Sequence, residues 1–309
     1  MSKSFRFALA MAACAALAAA GSARAEVVYG ISVPGITTNL VTFDTNAVNT
    51  VTSVGAVTGV VAGHTLRAVD FRPSDGKLYA LSSNGAAAQL YTVNLGSGAA
   101  TPVGGLMTLT GSTSIRISLD FDPVNDVLRV VTGTGQNFRV NANTGTVIAQ
   151  DSTLAGFPLV SGIAYTNSFV GAAQTTLYAY DFLTDRLGTI GGLNGVPSPD
   201  LGAFSAIGNS GIVTSTGEAG FDISGLTGDA FFSADDFNGS PGVSAEFFRV
   251  NLATGAFTQL SNDDFTSLLD FSVAIAPPMS VPEPPGAALS LLALGLVAAL
   301  VRPRSSVRP

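Results

Sequence analysis

The sequence feature that most constrains the fold is a short unit that recurs along the chain. In each copy an apolar strand ends in Asn or Asp, and a turn follows that is closed four residues later. The clear copies are Leu90–Asn94 with Gly98, Phe138–Asn141 with Gly145 and Phe247–Asn251 with Gly255, and the looser copies, which lack the glycine, are Leu40–Asp44 and Leu177–Asp181. The Asn or Asp side chain bonds the backbone two residues on, and glycine adopts the positive φ that ends such a loop. Each copy therefore predicts a β-hairpin.

A second strand pattern precedes these hairpins by roughly twenty residues. Its copies are Leu66–Phe71, Ile117–Phe121, Ser161–Tyr165 and Gly220–Ile223, and a fifth copy, Leu268–Ile275, stands alone at the end of the domain. A third strand, such as Leu78–Leu81 or Leu128–Val131, lies between the two patterns in each unit. The domain opens with a strand of this third type, Val27–Gly30, which has no second-pattern strand before it. This offset predicts that the last strand completes the first unit and closes a ring of about five four-stranded antiparallel blades. The fold class is therefore all-β and β-propeller-like, over residues 26–276.

The spacing of the repeats leaves other architectures open. Aromatic anchors lie at positions 43, 91, 138, 180 and 248, so the last interval, 68 residues, exceeds the others, which are 42 to 48. An insertion at residues 188–217, rich in Gly, Ser and Pro, explains the difference or hides a sixth, degenerate blade. An open solenoid or a β-sandwich is a further alternative.

Charge and cysteine content exclude several classes of function. Between Glu26 and Val281 there are eight basic and twenty acidic residues, a net charge of −12. A nucleic-acid-binding surface needs a basic stripe, so this balance argues against one. The only cysteine, Cys14, lies in the apolar N-terminal run, which leaves the domain without disulfide or thiol chemistry. The composition fits a soluble exported domain, or one that collects cations.

Residues 1–25 are predicted to be a secretory signal peptide. Lys3 and Arg6 form a basic start, residues 7–20 are apolar, and Ala23 and Ala25 provide the small residues of a cleavage site. The mature chain would begin at Glu26.

The C-terminal end has three parts in a fixed order. Residues 277–285 form a Pro-rich linker, residues 286–301 carry no charge, and residues 302–309 contain Arg302, Arg304 and Arg308. A helix over the sixteen apolar residues would be about 24 Å long, short for a hydrocarbon core of ~30 Å but able to span a thinned bilayer. The arginines would then remain cytoplasmic. We therefore expect a transmembrane helix at 286–301 and a cytoplasmic tail at 302–309.

Together these parts resemble the PEP-CTERM sorting signal of Gram-negative bacteria, with the motif at Pro282, Glu283 and Pro284. The resemblance implies recognition and tail removal by an exosortase-type membrane protease, with the inner membrane as a transient location. It further implies release or display at the cell surface or in the extracellular matrix, alongside exopolysaccharide production.

The repeats themselves resemble the bacterial domain of unknown function 4394 family. The similarity rests on segments such as Leu66–Gly105 and Leu119–Gly145 and covers about Val27–Ile275. It implies a propeller-like repeat and no reaction.

Candidate chemistry rests on carboxylates. Asp120, Asp122, Asn125 and Asp126 place four oxygen ligands within seven residues, which suits calcium, although turn capping explains the same residues. The lone domain histidine, His64, has no catalytic partner motif and is interpreted as a loop residue. The residues indicate no cofactor other than calcium.

Asp70, Asp120 and Asp222 occupy comparable positions near the ends of second-pattern strands and could line one region of the ring. Arginines such as Arg129 and Arg139 could pair with them in an ion-pair network. A polysaccharide-active enzyme with a central Asp pair is one hypothesis. The favoured hypothesis is a surface or matrix propeller, without enzymatic activity, that binds or scaffolds, with exopolysaccharide as a candidate partner.

Overall fold

A computed structural model describes residues 25–33, 37–110, 116–156, 159–236, 244–261 and 265–275. The chain divides into a unit Met1–Ile275, to which these residues belong, and a unit Ala276–Pro309. The sorting motif at 282–284, the expected helix at 286–301, the arginine tail and residues 1–24 of the predicted signal peptide lie outside the described residues. No helix in the described part of the chain is long and apolar enough to cross a membrane.

The described residues form five four-stranded antiparallel sheets, the blades. Blade 1 contains β1 (Val27–Ser32), β2 (Asn39–Asp44) and β3 (Thr52–Ala56). Blade 2 contains β4 (Thr65–Phe71), β5 (Leu78–Ser83), β6 (Ala87–Val93) and β7 (Ala100–Thr108). Blade 3 contains β8 (Ile117–Asp122), β9 (Val127–Thr132), β10 (Asn137–Asn141) and β11 (Thr146–Gln150). Blade 4 contains β12 (Val160–Tyr165), β13 (Leu177–Asp181), β14 (Arg186–Ile190) and β15 (Phe204–Asn209). Blade 5 contains β16 (Thr214–Ile223), β17 (Ala230–Asp236), β18 (Ser244–Val250) and β19 (Phe257–Gln259).

The final strand, β20 (Leu268–Val273), belongs to blade 1 and closes the ring. It pairs antiparallel with β1, with Gly30 opposite Phe271 and Val28 opposite Val273. The predicted closure of the first unit by the last strand is therefore confirmed. This pairing covers an edge of β1 that would otherwise lack a partner strand. Because the first and last strands of the propeller share one sheet, the ring cannot open without breaking the bonds between them.

The long connection between repeats does not form a sixth blade among the described residues. Residues 191–203, between β14 and β15, contain two 3₁₀ turns, Leu193–Gly195 and Pro199–Leu201, and the remainder of the interval forms β15 and the start of the ten-residue β16. The count of five blades is confirmed. We call residues 191–203 the blade-4 insertion.

The Asn-to-Gly hairpins close as the sequence predicts. Asn94 Oδ1 accepts a hydrogen bond from Gly96 N at 2.9 Å, and Gly98, with φ of 71°, ends the turn. In the looser copy after Leu177–Asp181, Asp185 adopts the left-handed conformation itself, with φ of 51°. Asp and Asn tolerate this region better than other residues with side chains, so the turn survives without glycine.

The apolar core is divided into five clusters, one at each seam between adjacent blades. Four seams contain an aromatic pair with ring centroids 4.6–5.8 Å apart, namely Tyr29–Phe71, Tyr79–Phe121, Tyr180–Phe232 and Phe43–Phe247. No such pair spans the seam between blades 3 and 4 in the part of the chain that the structure describes. That seam carries the polar groups considered below.

Candidate functional site

Aspartates on the inner strands connect neighbouring blades. The strands β4, β8, β12, β16 and β20 lie next to one another around the ring, and aspartate carboxylates accept hydrogen bonds from backbone N–H groups of the following strand. The bonds run from Phe121 to Asp70, Tyr165 to Asp120, Val273 to Asp222 and Val69 to Asp270, at 2.6–3.2 Å. The carboxylates thus satisfy N–H groups on the inner edge of each blade, where no further strand pairs with the innermost strand.

Three of these aspartates occupy the same position in their blades. In the register of the innermost strand pair, Asp70 lies opposite Tyr79, Asp120 opposite Arg129 and Asp222 opposite Phe231. The other two blades place Ala164 and Ser272 at this position, opposite Tyr178 and Tyr29. The repeat therefore directs five side chains, one from each blade, to one level of the ring; we call this place in each blade the ring position.

The three equivalent carboxylates converge. Oxygens of Asp70, Asp120 and Asp222 lie within 4.8 Å of one another, and the three residues are only 2–5% exposed. Burial raises the pKa of Asp222 to about 6. Burial first, and then the nearby aspartates, raise the pKa values of Asp70 and Asp120 well above the usual range, and burial does the same for Asp270. Because desolvation penalises the charged form, these groups favour the protonated state.

The hydroxyl of Ser272 gives an independent reason for a proton in this cluster. Ser272 Oγ lies 2.8 Å from Asp70 Oδ1 and 2.9 Å from Asp222 Oδ2, and accepts a third bond from Phe71 N. A hydroxyl has a single hydrogen, so it can donate to one of the two carboxylates only. The other contact is a hydrogen bond only if that carboxyl group donates, which requires it to be protonated.

This arrangement limits what the cluster can do. The oxygens could share protons or contribute to the coordination of a hard cation such as calcium, which uses six to eight oxygen ligands. The carboxyl groups of a retaining glycosidase lie roughly 5–5.5 Å apart, a spacing close to this one, but they must also contact a sugar. Here the carboxylates are buried and bound to strand edges.

The repeat is broken at one position in blade 3. The residue opposite the ring position is aromatic in four blades and is Arg129 in the third. Arg129 is 1% exposed, and its guanidinium donates to Tyr165 Oη, Asp151 Oδ2 and Asp200 Oδ1 at 2.5–2.8 Å. Burial lowers the pKa of Arg129, but Tyr165 and the two aspartates more than compensate, so the pKa is raised overall. A buried cation with this many partners is stable in the charged form.

Arg129 lies at a cleft of ≈ 190 Å³ between blades 3 and 4. Arg139 extends the network, with bonds to both oxygens of Asp151 at 2.8–2.9 Å and to Asp200 at 3.0 Å. Asp200 and Asn194, on the cleft wall, come from the blade-4 insertion. The insertion is fixed in place by Ser152 N, which donates to Asp200 O, and Ala155 N, which donates to Gly202 O.

The four residues of the expected calcium loop have separate partners. Asp120 points to the ring cluster, whereas Asp122 accepts bonds from Val124 N, Asn125 N and Asn125 Nδ2 within its own turn. Asp126 accepts hydrogen bonds of 2.6–2.8 Å from Nε and Nη2 of Arg72, which lies across the seam in blade 2. Partial burial alone would raise the pKa of Asp126, but Arg72 lowers it overall. Calcium binding by these four residues stays a prediction.

Other candidate residues also find definite positions. Arg129 and Arg139 pair with Asp151 and Asp200 rather than with the ring aspartates, so for these two arginines the alternative of an ion-pair network with Asp70, Asp120 and Asp222 is not what the structure shows. His64 Nδ1 lies 3.1 Å from Ser82 Oγ in a half-buried loop.

Sequence reasoning did not single out two features, the fourth ring carboxylate, Asp270, and the Arg129 cleft. The signal for Asp270 was its place in the isolated strand copy Leu268–Ile275. The signal for Arg129 was its alignment with Tyr79 and the other aromatic residues of the repeat.

Five antiparallel four-stranded blades around a ring of inner strands define a five-bladed β-propeller. The chain belongs to the family described as a domain of unknown function (DUF4394), whose profile matches residues 39–269, so the resemblance seen in the repeats is confirmed. The family assigns no reaction to the chain. No curated protein matches it.

Several solved structures share the general shape. One comes from a nidogen/laminin complex, with 10% identity, 82% of this chain and 99% of that chain covered, and a TM-score of 0.46. Another is the exo-β-1,3-galactanase of Phanerochaete chrysosporium with galactose, with 15% identity, 76% and 62% covered, and a TM-score of 0.45. A third is RS223 β-xylosidase, with 14% identity, 72% and 84% covered, and a TM-score of 0.45. These similarities indicate no shared ligand or reaction.

Proposed function

We propose that this protein is exported and acts as a binding or scaffolding propeller at the cell surface or in an exopolysaccharide matrix. One observation carries the proposal. The convergent carboxylates, which a hydrolase would need to present to its substrate, are 2–5% exposed and bound to strand edges. They hold the ring together, and the open cleft at the seam between blades 3 and 4 is left for contact with a partner.

Export is supported by the position at which the propeller begins. Glu26, the residue after the expected cleavage site, is buried, and its N–H donates to Thr45 Oγ1 at 3.1 Å. Its carboxylate accepts bonds from Ser224 Oγ and from Thr227 Oγ1 in blade 5. Removal of residues 1–25 would therefore leave every one of these contacts in place.

Sorting rests on the C-terminal motif at 282–284. In this proposal the segment 286–301 holds the protein transiently in the inner membrane of a Gram-negative cell until an exosortase-type protease removes the tail. Deleting residues 282–309 should leave the protein soluble in the periplasm, as judged by fractionation and immunoblotting. Normal surface display of the deleted protein would contradict the sorting proposal.

The binding function is tested with the polysaccharide of the producing organism. The wild-type protein should co-sediment with the polysaccharide and should release no reducing sugar from it. Asp120→Asn and Asp222→Asn should then behave like the wild type in both assays, provided that they remain folded by circular dichroism. A polysaccharide-active enzyme would instead show hydrolysis that at least one of the two changes abolishes, and failure of the wild type to co-sediment would contradict binding to the matrix.

A further inference from the structure

The cleft between blades 3 and 4 is where the repeating ring departs from its own pattern. Arg129 replaces an aromatic residue, and the blade-4 insertion has no counterpart of similar length between the third and fourth strands of another blade. In repeat proteins such insertions commonly gather on the face that binds a ligand. Positions that break an otherwise consistent local pattern are also expected at functional sites.

The charges at the cleft nearly cancel. Two guanidinium groups, of Arg129 and Arg139, share two carboxylates, of Asp151 and Asp200, through ion pairs of 2.5–3.0 Å. Asp122, which also lines the cleft, adds one negative charge. An anionic ligand would have to displace a carboxylate from a guanidinium or lie against Asp122, so the balance favours an uncharged ligand.

Hydrogen-bonding groups remain available on the cleft wall. The bonds that Gln174 and Asn194 form within the described residues use the backbone, which leaves both side-chain amides without a partner there. Arg139 is bound through Nε and Nη2, so its Nη1 donors also have no partner among the described residues. Val124, 41% exposed, adds an apolar contact at the edge. Amides that both donate and accept, beside an apolar patch, suit a ring that carries hydroxyl groups on one side and C–H groups on the other.

The volume limits the size of the ligand. At ≈ 190 Å³ the cleft is smaller than the ~300–1,000 Å³ of pockets that hold drug-sized molecules. It therefore has room for one small ring, with the open side accommodating the rest of a longer chain.

We infer that this cleft binds a single uncharged, polyhydroxylated ring, that is, one neutral sugar unit, held by the amides of Gln174 and Asn194 and by Nη1 of Arg139. The inference rests on the proposed binding function and gives it a site and a class of ligand. Arg129, Asp151 and Asp200 fix the wall and do not themselves contact the sugar.

The probes are glucose, galactose, mannose and N-acetylglucosamine, with glucuronate and inorganic phosphate as the charged comparison. Saturation-transfer-difference NMR on the purified full chain should show transfer to at least one neutral sugar, and titration calorimetry should give a Kd that is lower than for either anion. The double variant Gln174→Ala/Asn194→Gly should raise the Kd at least tenfold; glycine is used at 194 because its backbone has a φ of 55°, which alanine adopts only with strain. Thr52→Ala, an exposed change in β3 of blade 1, should leave it unaltered.

Both amides lie on the surface and form no side-chain bonds within the described residues, so the double variant should keep the wild-type melting temperature. Tighter binding of glucuronate or phosphate, an unchanged Kd in the double variant, or no transfer to any of the four sugars would overturn the inference. Co-sedimentation with the producer's polysaccharide separates the two proposals. If the wild type and the double variant co-sediment equally, the cleft assignment fails while the binding function stands, and if neither co-sediments, the binding function itself fails.

Discussion

The free energy of unfolding should decrease as the pH rises through about 6, because the ring buries four carboxyl groups that favour a proton. Asp222 provides the clearest case, since burial raises its pKa to about 6 from the ordinary aspartate value of 3.8. A group whose pKa is higher in the folded protein stabilises the fold fully below the unfolded pKa. That contribution is lost as the pH rises through the folded pKa.

The size of the effect follows from the shift. A difference of roughly two pKa units at 1.36 kcal/mol each makes about 3 kcal/mol for Asp222 alone, of which about 2 kcal/mol is lost between pH 4.5 and pH 8. Asp70, Asp120 and Asp270 change in the same direction, because their pKa values are also raised. Set against a total stability of about 5–15 kcal/mol, this loss should be easy to measure.

The assay is urea unfolding followed by far-ultraviolet circular dichroism, since the chain contains no Trp for fluorescence. Samples from pH 4.5 to 8, with EDTA to remove cations that could replace the protons, give the slope of stability against pH. Asp222→Asn keeps an oxygen that can accept the bond from Val273 N but cannot ionise, so its profile over this pH range should be flatter by about 2 kcal/mol. Asp44→Asn is the matched control, because its Oδ1 accepts a bond from Asn46 N in an exposed turn that asparagine can also cap.

Two results would refute this reasoning. One is a wild-type stability that is constant or increases from pH 5 to 8 in EDTA. The other is an Asp222→Asn profile that falls as steeply as the wild type, which would place the proton-linked loss elsewhere in the molecule.

Three further changes test the fold and the site. Arg129→Met should cost about 3–5 kcal/mol in urea unfolding, because it removes a buried cation that bonds Asp151, Asp200, Asn137 and Tyr165 Oη at once; a loss below ~1 kcal/mol would contradict the network. Gly145→Ala should lower the melting temperature more than Gly76→Ala, although both glycines have φ near +65°, because a Cβ on Gly145 would collide with the backbone of blade 2 and one on Gly76 meets nothing within 4 Å. Calcium should raise the melting temperature more at pH 8 than at pH 5, since protons compete for the same oxygens. Asp70→Asn, which changes only the ring cluster, should abolish this shift, and Asp126→Asn, which changes only the loop, should preserve it; the opposite pair of results would place the ion in the loop.

The ring was predictable because its determinants are local. Each hairpin signal lies within about ten residues, and the mismatch between the first strand, Val27–Gly30, and the last, Leu268–Ile275, is visible in the order of the repeats. These features depend on turn chemistry and on the alternation of apolar residues, both of which act over short stretches of chain. The order of the strands and the closure of blade 1 therefore agree with the prediction, whereas some bounds differ, most of all for β16, which begins at Thr214 rather than at Gly220.

The site was less predictable because its contacts are distant in sequence. Asp200 reaches Arg129 across 71 positions, and Asp222 reaches Val273 across 51. The blade-4 insertion has no apolar periodicity, so nothing local indicates where it packs. An acidic cluster such as 120–126 looks like one ligand set in sequence, yet in the structure a strand end and a turn send its carboxylates to different partners.

The departures from five-fold regularity coincide at blades 3 and 4. At the ring position blade 4 has Ala164, so β12 lacks the polar side chain, aspartate or Ser272, that the other four inner strands carry at this level. Its Gly162 instead allows the strand to approach Phe221 of blade 5 closely. On the opposite side of blade 4, the seam to blade 3 contains the buried Arg129 in place of an aromatic pair. The guanidinium carbon of Arg116 lies 4.4 Å from the centre of the Phe182 ring. Each of the other four seams contains an aromatic pair. A polar seam costs desolvation that apolar packing does not incur, and a fold that needed stability alone would have no reason to retain it. The least regular seam of the ring, between blades 3 and 4, is therefore also the seam that contains the cleft in which we propose that the ligand binds.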